Sequence, residues 1–483
     1  MNSHKMWIGG EWLDADSGKT FAVYNPATEE EIGQVPLGAK SDVDKAVEAA
    51  RKAFPIWSKK SQAERSKIVS QIADLIRENA EELVSLEVLE HGTPIEVAKM
   101  LTSWSADMIE FAAQAARTLM GNVIPAFPDT VSYYRREPLG VCGLIAPWNV
   151  PLMMMAAKLG PALAAGNSCV VKPPSVNSLI GLKFAEILAK ADLPRGTVNL
   201  ITGPGGSVGD ALSSHPDVAM IAFTGSTETG KAIIASSSKS VKRLMLELGG
   251  KNPVIVLEDA DLENAANIIA EKQCLNSGMT CGSPGRIYVH ENIHDEFVER
   301  FVAAMERITV GHPNDVKTVM GPVVSAEHRD KVESYIRSGI EEGATLILGG
   351  TRPAMPPMDR GYYVVPTVFI NVTQDMTIAR EEIFGPVACI MKFTSEADVI
   401  EQANDNVYGL CASVWTRDVG KGIRYGEELR VGSFWVNQHN HITTALPWGG
   451  IKDSGIGKES GVEGLKEFTT LKLMCFELPV YAG

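Results

Sequence analysis

The sequence predicts an α/β protein built as two doubly wound α/β domains with a small β flap beside them. Three observations carry this. From Val141 onward, short apolar runs alternate with helix-length amphipathic segments, the pattern of parallel strands joined by crossover helices. The alternation halts at Leu248-Gly249-Gly250 and resumes after Asn252, which divides it into two units. Two segments rich in β-formers, Asn122 to Arg136 and Thr469 to Leu478, stand outside the alternation. With 483 residues, 45% of them hydrophobic, the chain has length for two or three domains.

In chain order, Met6-Trp7-Ile8 is strand-like and has too short an apolar run for a secretory leader, so export is not expected. Ser41-Asp42-Val43-Asp44 opens an amphipathic helix through Phe54, and further helices run to about Leu119 with a break at His91-Gly92-Thr93-Pro94. Asn122 to Arg136 is extended. Between Val141 and Val171 the only charge is Lys158, long enough to mimic a bilayer span, but Pro147, Asn149, Pro151 and Pro161 interrupt it. It reads instead as a buried strand to Ala146, a polar turn, a core helix through about Ala165, and a strand from Ser168 to Lys172. Next come helix Leu179 to Ala189, strand Val198 to Thr202, a short helix from Ser207, strand Ala219 to Thr224, a helix from Ser226, and strand Leu244 to Leu248. Helix Leu262 to Ser277 opens the second α/β unit.

A net charge of −14 opposes nonspecific binding to nucleic acid or anionic membrane, and no basic run or helix-turn-helix reverses that. The seven cysteines are an odd, scattered set without paired metal-ligand spacing, as in reduced cytoplasmic proteins; no metal site is expected. His439 and His441 stand two apart in a polar loop without further ligands, and read as surface histidines or as residues of a tunnel mouth.

Three residues carry chemistry. Cys281 lies among Gly278, Gly282 and Gly285, where the backbone can approach a ligand and the sulfur is unshielded. A free cysteine is more often an inert part of a core, so its neighbours decide. Glu247 sits in the apolar run Leu246-Glu247-Leu248-Gly249-Gly250; desolvation there raises a carboxyl pKa toward neutrality, as a general base requires, whereas an outward-facing strand position would leave it ordinary. Asn149, in Ala146-Pro147-Trp148-Asn149-Val150-Pro151, is fixed by prolines in apolar surroundings where its NH2 must find an acceptor, an oxyanion among the candidates.

With these three motifs, Val171-Lys172-Pro173-Pro174, the turn Phe223-Thr224-Gly225-Ser226-Thr227-Glu228-Thr229-Gly230, the run Glu381-Glu382-Ile383-Phe384-Gly385-Pro386-Val387 and Pro447-Trp448-Gly449-Gly450 bring essentially the whole chain to resemble the aldehyde dehydrogenase superfamily, of the hydrolytic, non-acylating type. The resemblance implies an NAD(P)-dependent oxidation of an aldehyde to the carboxylic acid. Cys281 would form a thiohemiacetal and then a thioester, Asn149 would bind the oxyanion, and Glu247 would direct hydrolysis. Lys158 and Glu459 join the catalytic set, Glu459 passing protons toward the base. The implied cofactor contacts are the pyrophosphate at Ser226, the adenosine ribose at Lys172, the nicotinamide ribose at Glu382 and Phe384 beside the ring. Ile145, Pro147, Trp148, Ser175, Gly205, Gly209, Phe223, Gly225 and Leu248 complete the set. The implied domains are 1–119 with 139–249 for the dinucleotide, 250–455 for catalysis, and 120–138 with 466–483 as a flap that crosses to a neighbouring subunit in a homodimer or homotetramer.

Gly203-Pro204-Gly205-Gly206-Ser207-Val208-Gly209 misses the usual dinucleotide fingerprint by one position, so Thr224-Gly225-Ser226, where a strand meets a helix start, is the stronger phosphate site. Ser175 stands where NAD-preferring relatives often carry a glutamate, which admits NADP as well as NAD. Met279 replaces a common glutamine and implies a drier approach to Cys281. The implied substrate tunnel is Met100, Trp104, Val150, Met153, Met154, Ala157, Thr280, Ile442 and Trp448. It holds no basic side chain, which favours a neutral apolar aldehyde, aromatic or otherwise bulky; a semialdehyde or betaine-aldehyde type is the alternative. A cofactor-free thiol esterase would want a histidine partner, and none stands near the motifs; a noncatalytic scaffold would have lost one of the three residues.

Overall fold

The computed structural model describes residues 4–356 and 358–478; residues 1–3 and 479–483, the ends of the predicted first domain and flap, lie outside the described residues. Two large sheets organise the chain. In the first, strands Val198–Leu200, Ser168–Lys172, Val141–Ile145, Val218–Thr224 and Arg243–Glu247 run parallel in that spatial order. Met6–Ile8 and Glu11–Leu13 extend one edge antiparallel. The chain builds outward from Val141–Ile145 on one side, then jumps back across it to place Val218–Thr224 on the other. Such a reversal opens a crevice at the carboxyl ends of the strands, where ligands of open α/β sheets bind.

The second sheet has seven strands, with Thr367–Ile370, Val387–Phe393, Pro284–His290, Asn252–Val256, Cys411–Trp415 and Ser433–Val436 parallel and Thr345–Leu348 antiparallel at one edge. Near its end the chain returns: Gly455–Ile456 pairs antiparallel with the first sheet, Glu247 opposite Gly455. A third sheet joins Asn122–Ile124, Thr130–Pro138 and Thr469–Glu477, with the last two in continuous antiparallel register from Thr469↔Pro138 to Glu477↔Thr130.

The helix Pro151–Ala165 is buried at every residue and packs against Ile95–Ala116 and Gln62–Glu78. Pro151 at its first turn has the φ a helix start needs and no N–H to leave unbonded, and Gly166 ends it at φ 102°, a left-handed cap closed to most side chains. Elements follow the sequence closely, with two exceptions. The expected helix to Ser277 ends at Cys274, because Asn276, Ser277 and Gly278 all take positive φ (51°, 57° and 73°). The expected helix from Ser207 is a π-turn, Gly205–Gly209, leading into Asp210–Ser214. No helix among the described residues is long and apolar enough to cross a membrane.

Candidate active site

A cavity of about 590 Å³ lies between the carboxyl ends of the first sheet's strands and the segments that lead into the strands Asn252–Val256, Pro284–His290 and Val387–Phe393 of the second. On its wall are Cys281, Asn149, Glu247 and Glu459. The left-handed run 276–278 delivers Cys281: a Cβ on Gly278 would collide with the Gly385 backbone, so no larger residue fits this bend. Ser277 Oγ donates to the Gly321 carbonyl (2.9 Å), and Asn276 Nδ2 to the Asn149 carbonyl (2.7 Å), tying the bend to the Asn149 turn. Asn149 is buried, with its Nδ2 3.0 Å from the Met279 carbonyl. Burial, with the carboxylates of Glu382, Glu247 and Glu459 adding to it, pushes the Cys281 thiol up from its ordinary value.

Glu247 ends its strand and is 2% exposed; neither carboxylate oxygen has a hydrogen-bond partner among the described residues. Desolvation, reinforced by Glu459, raises its carboxyl well above the usual range. Gly449 makes the space, since a Cβ there would collide with Oε1. Behind it, the fully buried Lys158 donates from Nζ to Glu459 Oε1 (2.5 Å) and to Thr224 Oγ1 (2.7 Å), the residue directly opposite Glu247 in the sheet.

The predicted cofactor residues fall into two groups. Pro147, Trp148, Gly225, Ser226, Leu248, Glu382 and Phe384 line the cavity. Ser226 caps the helix Thr227–Ser237, accepting from the Thr229 N–H (3.2 Å), so the first turn presents N–H groups and its positive dipole end. The Phe223 ring fills the place of a Cβ on Gly225. Glu382 accepts from the Gly250 N–H (2.9 Å), and burial raises its carboxyl to about 7. Phe384, at φ 59°, stands edge-on to Trp148 at 5.2 Å. Ile145, Lys172, Ser175, Gly205, Gly209 and Phe223 lie off the cavity wall. Ile145, Lys172 and Phe223 sit at or next to strand carboxyl ends of the first sheet, and Ser175, Gly205 and Gly209 in the turns that follow. Lys172 Nζ donates to the Pro173 carbonyl (3.1 Å), and burial lowers its pKa to about 8; Ser175 Oγ donates to the Gly203 carbonyl (2.9 Å). At Gly205 and Gly206 the space a Cβ would take is open. A helix N-terminus, a half-buried carboxylate and a glycine turn at a switch point are a donor and acceptor set that fits a dinucleotide.

Met100, Trp104, Val150, Met153, Met154, Thr280, Ile442 and Trp448 line the other arm of the cavity. Ala157 does not: one turn beyond Met153, it borders a much smaller void with Pro161, Thr444 and Leu465, because its helix there faces Gly461–Glu467. Met279 departs too. Its side chain is buried in the core of the second sheet and not on the cavity wall, so it does not dry the approach to Cys281.

The histidine expectations need correction. His439 is fully buried, its Nε2 2.8 Å from the Gly282 carbonyl and its Nδ1 2.9 Å from Ser413 Oγ. His328 lines the cavity, bonds the Phe384 carbonyl (2.8 Å) and packs on Trp148 (4.9 Å), so histidines do stand near the motifs. Only His441 is exposed, on the cavity wall. The burial of His439 comes from the strand Ser433–Val436 delivering the loop beneath Cys281, a pairing no local pattern displays.

Residues 12–474 match the model of the aldehyde dehydrogenase family. The chain is 44% identical over 473 residues to the betaine aldehyde dehydrogenase of Bacillus subtilis (97% of this chain, 96% of that one). It is 43% identical over 479 residues to human aldehyde dehydrogenase 1A1 (98% and 95%). The crystal structure of Staphylococcus aureus betaine aldehyde dehydrogenase in complex with NAD+ superposes with a TM-score of 0.96 at 38% identity, covering 99% of this chain and 96% of that one.

Proposed function

The chain belongs to the aldehyde dehydrogenase family, and from that premise we propose that it oxidises a neutral, apolar aldehyde to the carboxylic acid with NAD+ or NADP+, Cys281 being the nucleophile. The observation that carries this reading is one cavity wall holding a thiol, a fixed amide and a buried carboxylate that has no hydrogen-bond partner among the described residues.

An aldehyde carbon donates hydride only once a nucleophile has made it tetrahedral, so the Cys281 sulfur adds first. Its proton passes to water in the cavity as the bond forms, the thiolate being the nucleophile. Asn149 Nδ2 and the Cys281 N–H donate to the oxygen as it gains charge; removing one such donor costs about 3–4 kcal/mol in comparable sites. The bound nicotinamide cofactor supplies the hydride acceptor. Glu247 then takes a proton from water, whose oxygen attacks the thioester carbon, and the sulfur leaves and regains a proton. Lys158 and Glu459, buried behind Glu247, give the proton that Glu247 took from water a way out. Ser226, Glu382, Phe384 and Lys172 are the groups that would hold the cofactor, and Ser175 leaves a 2′-phosphate without like-charge repulsion.

The apolar arm supports a bulky hydrophobic substrate. A second reading, a trimethylammonium aldehyde, is favoured by Trp104 and Trp448 on the same arm, whose ring faces attract cations, and by the similarity to enzymes named for betaine aldehyde. Screening aromatic, aliphatic and trimethylammonium aldehydes with each cofactor by nicotinamide absorbance tests both. No turnover on any aldehyde with either cofactor overturns the reading.

We assign residues 1–119 and 139–249 to the cofactor domain, 250–455 to the catalytic domain, and 120–138 with 466–483 to an assembly flap. Leu473 and Val123 on that flap are 63% and 73% exposed, apolar surface that a neighbouring subunit would bury. A homodimer or homotetramer in the cytoplasm is the proposed form, and a monomeric mass by light scattering at micromolar concentration refutes it. The seven cysteines are free thiols, consistent with a reducing compartment.

A further inference from the structure

Three consecutive carbonyls of the cysteine turn are each taken by a buried side chain outside the cavity. Asn252, 2% exposed at the start of its strand, donates from Nδ2 to the Cys281 carbonyl (2.7 Å) and to the Ser283 carbonyl (2.8 Å), while its Oδ1 accepts the Cys411 N–H (3.2 Å). His439 reaches the carbonyl between them, that of Gly282, at 2.8 Å. A carbonyl only accepts, so Nε2 carries the proton and Nδ1 accepts from the Ser413 hydroxyl. Burial lowers the His439 pKa to about 4, which keeps this neutral tautomer near neutral pH.

Thr280, Cys281 and Gly282 line the cavity, whereas Asn252, His439 and Ser413 do not. The carbonyls therefore point away from the substrate space. Among the described residues no protein oxygen outside Cys281 accepts from the Cys281 N–H. The plane that carries the Cys281 N–H is held through its own carbonyl, Thr280 O accepting from the Ser283 N–H (3.1 Å), and Ser283 is in turn held by Asn252; with the plane after Cys281 fixed by Asn252 directly, that N–H and the thiol are left to the cavity. Gly250 completes the clamp from below, since a Cβ there would come within 2.9 Å of both the Cys281 carbonyl and Asn252 Oδ1.

We propose that Asn252 and His439 are positioning residues of the reaction: they hold the carbonyls of residues 281–283 outward and so keep the Cys281 N–H and sulfur in attacking geometry. The proposal rests on Cys281 being the nucleophile. Neither residue touches substrate or cofactor, and each acts through the turn. Preorganisation of this kind matters because a donor fixed toward the developing charge needs no reorganisation at the moment of reaction. Small displacements of such a donor cost rate and leave cofactor affinity alone.

Kinetics of His439→Phe, His439→Gln and Asn252→Ser in the full-length enzyme test this. Phenylalanine keeps a ring and loses the donor; glutamine can return an N–H to the Gly282 carbonyl. The expected result is a fall in kcat of about tenfold or more for His439→Phe, with KM for the nicotinamide cofactor within about twofold, and recovery of most of kcat in His439→Gln. Parental kcat in His439→Phe, an equal loss in both histidine variants, or parallel changes in kcat and cofactor KM overturns the proposal. Should His439→Phe fail to fold, Asn252→Ser, which is too short to reach both carbonyls, decides by the same kcat and KM criteria. Cys281→Ala separates the premise: turnover surviving there removes the nucleophile itself, whereas an inactive Cys281→Ala beside a normal His439→Phe removes only the positioning role.

Discussion

The two sides of the cavity treat their polar groups in opposite ways. On the Cys281 side the turn is fastened throughout, with successive carbonyls bonded to Asn252 and His439 and the preceding bend held at positive φ. On the Glu247 side the carboxylate is buried and has no hydrogen-bond partner among the described residues. A desolvated carboxylate without hydrogen bonds is costly, so this is a place where stability is given up. The difference follows from the two tasks. A nucleophile must meet a carbon at one angle and gains from rigidity, whereas a base that serves water must keep its lone pairs free until the water arrives.

The largest effect expected from breaking this contrast is on the fastened side. Cys281→Ala should lower turnover by a factor on the order of 10⁴ or more while the cofactor still binds, because it removes the bond-forming atom and no cofactor contact. Cofactor titration by fluorescence beside steady-state rates checks it; near-normal turnover would end the assignment. Glu247→Gln should lower the steady rate about a hundredfold and leave a first-turnover burst of reduced cofactor, since addition and hydride transfer precede the water step. Equal loss of burst and steady rate would place Glu247 elsewhere in the cycle.

A pH series sharpens the same point. Because burial and Glu459 raise the Glu247 carboxyl, its basic form is gained as pH rises, so the water step should accelerate with pH along a limb lying above that of an ordinary carboxylic acid. In Glu247→Gln that limb should vanish. Gly449→Ala should act more mildly, about tenfold on the steady rate, by pushing a Cβ against Oε1 of Glu247 at a φ of 146°. A burst-to-steady ratio unchanged from the parent would show that the carboxylate does not need that space. The smallest change should come from outside both sides: Ser175→Glu is expected to lower kcat/KM with NADP by about tenfold through like-charge repulsion, sparing NAD and leaving the burst ratio alone. A parent enzyme inactive with NADP would refute the role given to Ser175.

What could be read from the sequence follows the same divide. Cys281, Glu247 and Asn149 are legible because each sits in a local motif, and the strands and helices of the first sheet are legible because alternation is a local signal. The fastening is not. Asn252 lies 29 and 31 positions before the two carbonyls it holds, and His439 lies 157 positions after its own. Neither residue type nor spacing announces such a bond, which is why His439 reads as a surface loop residue until the second sheet is assembled around it. Ala157 and Met279 mislead for a related reason. Helical or motif position gives a residue's neighbourhood, and packing decides which way its side chain turns.

The return of Gly455–Ile456 to the first sheet sets an order in time. Ser454 donates from Oγ to the Gly249 carbonyl, 205 positions earlier, and its own carbonyl accepts the Leu248 N–H. As the chain leaves the ribosome, the strand bearing Glu247 therefore lacks its outer neighbour until residues 455 and 456 have emerged. Cysteine turn and carboxylate are both made long before that neighbour, so a nascent chain that has not reached residue 456 carries nucleophile and base with the edge of the base's strand still unpaired.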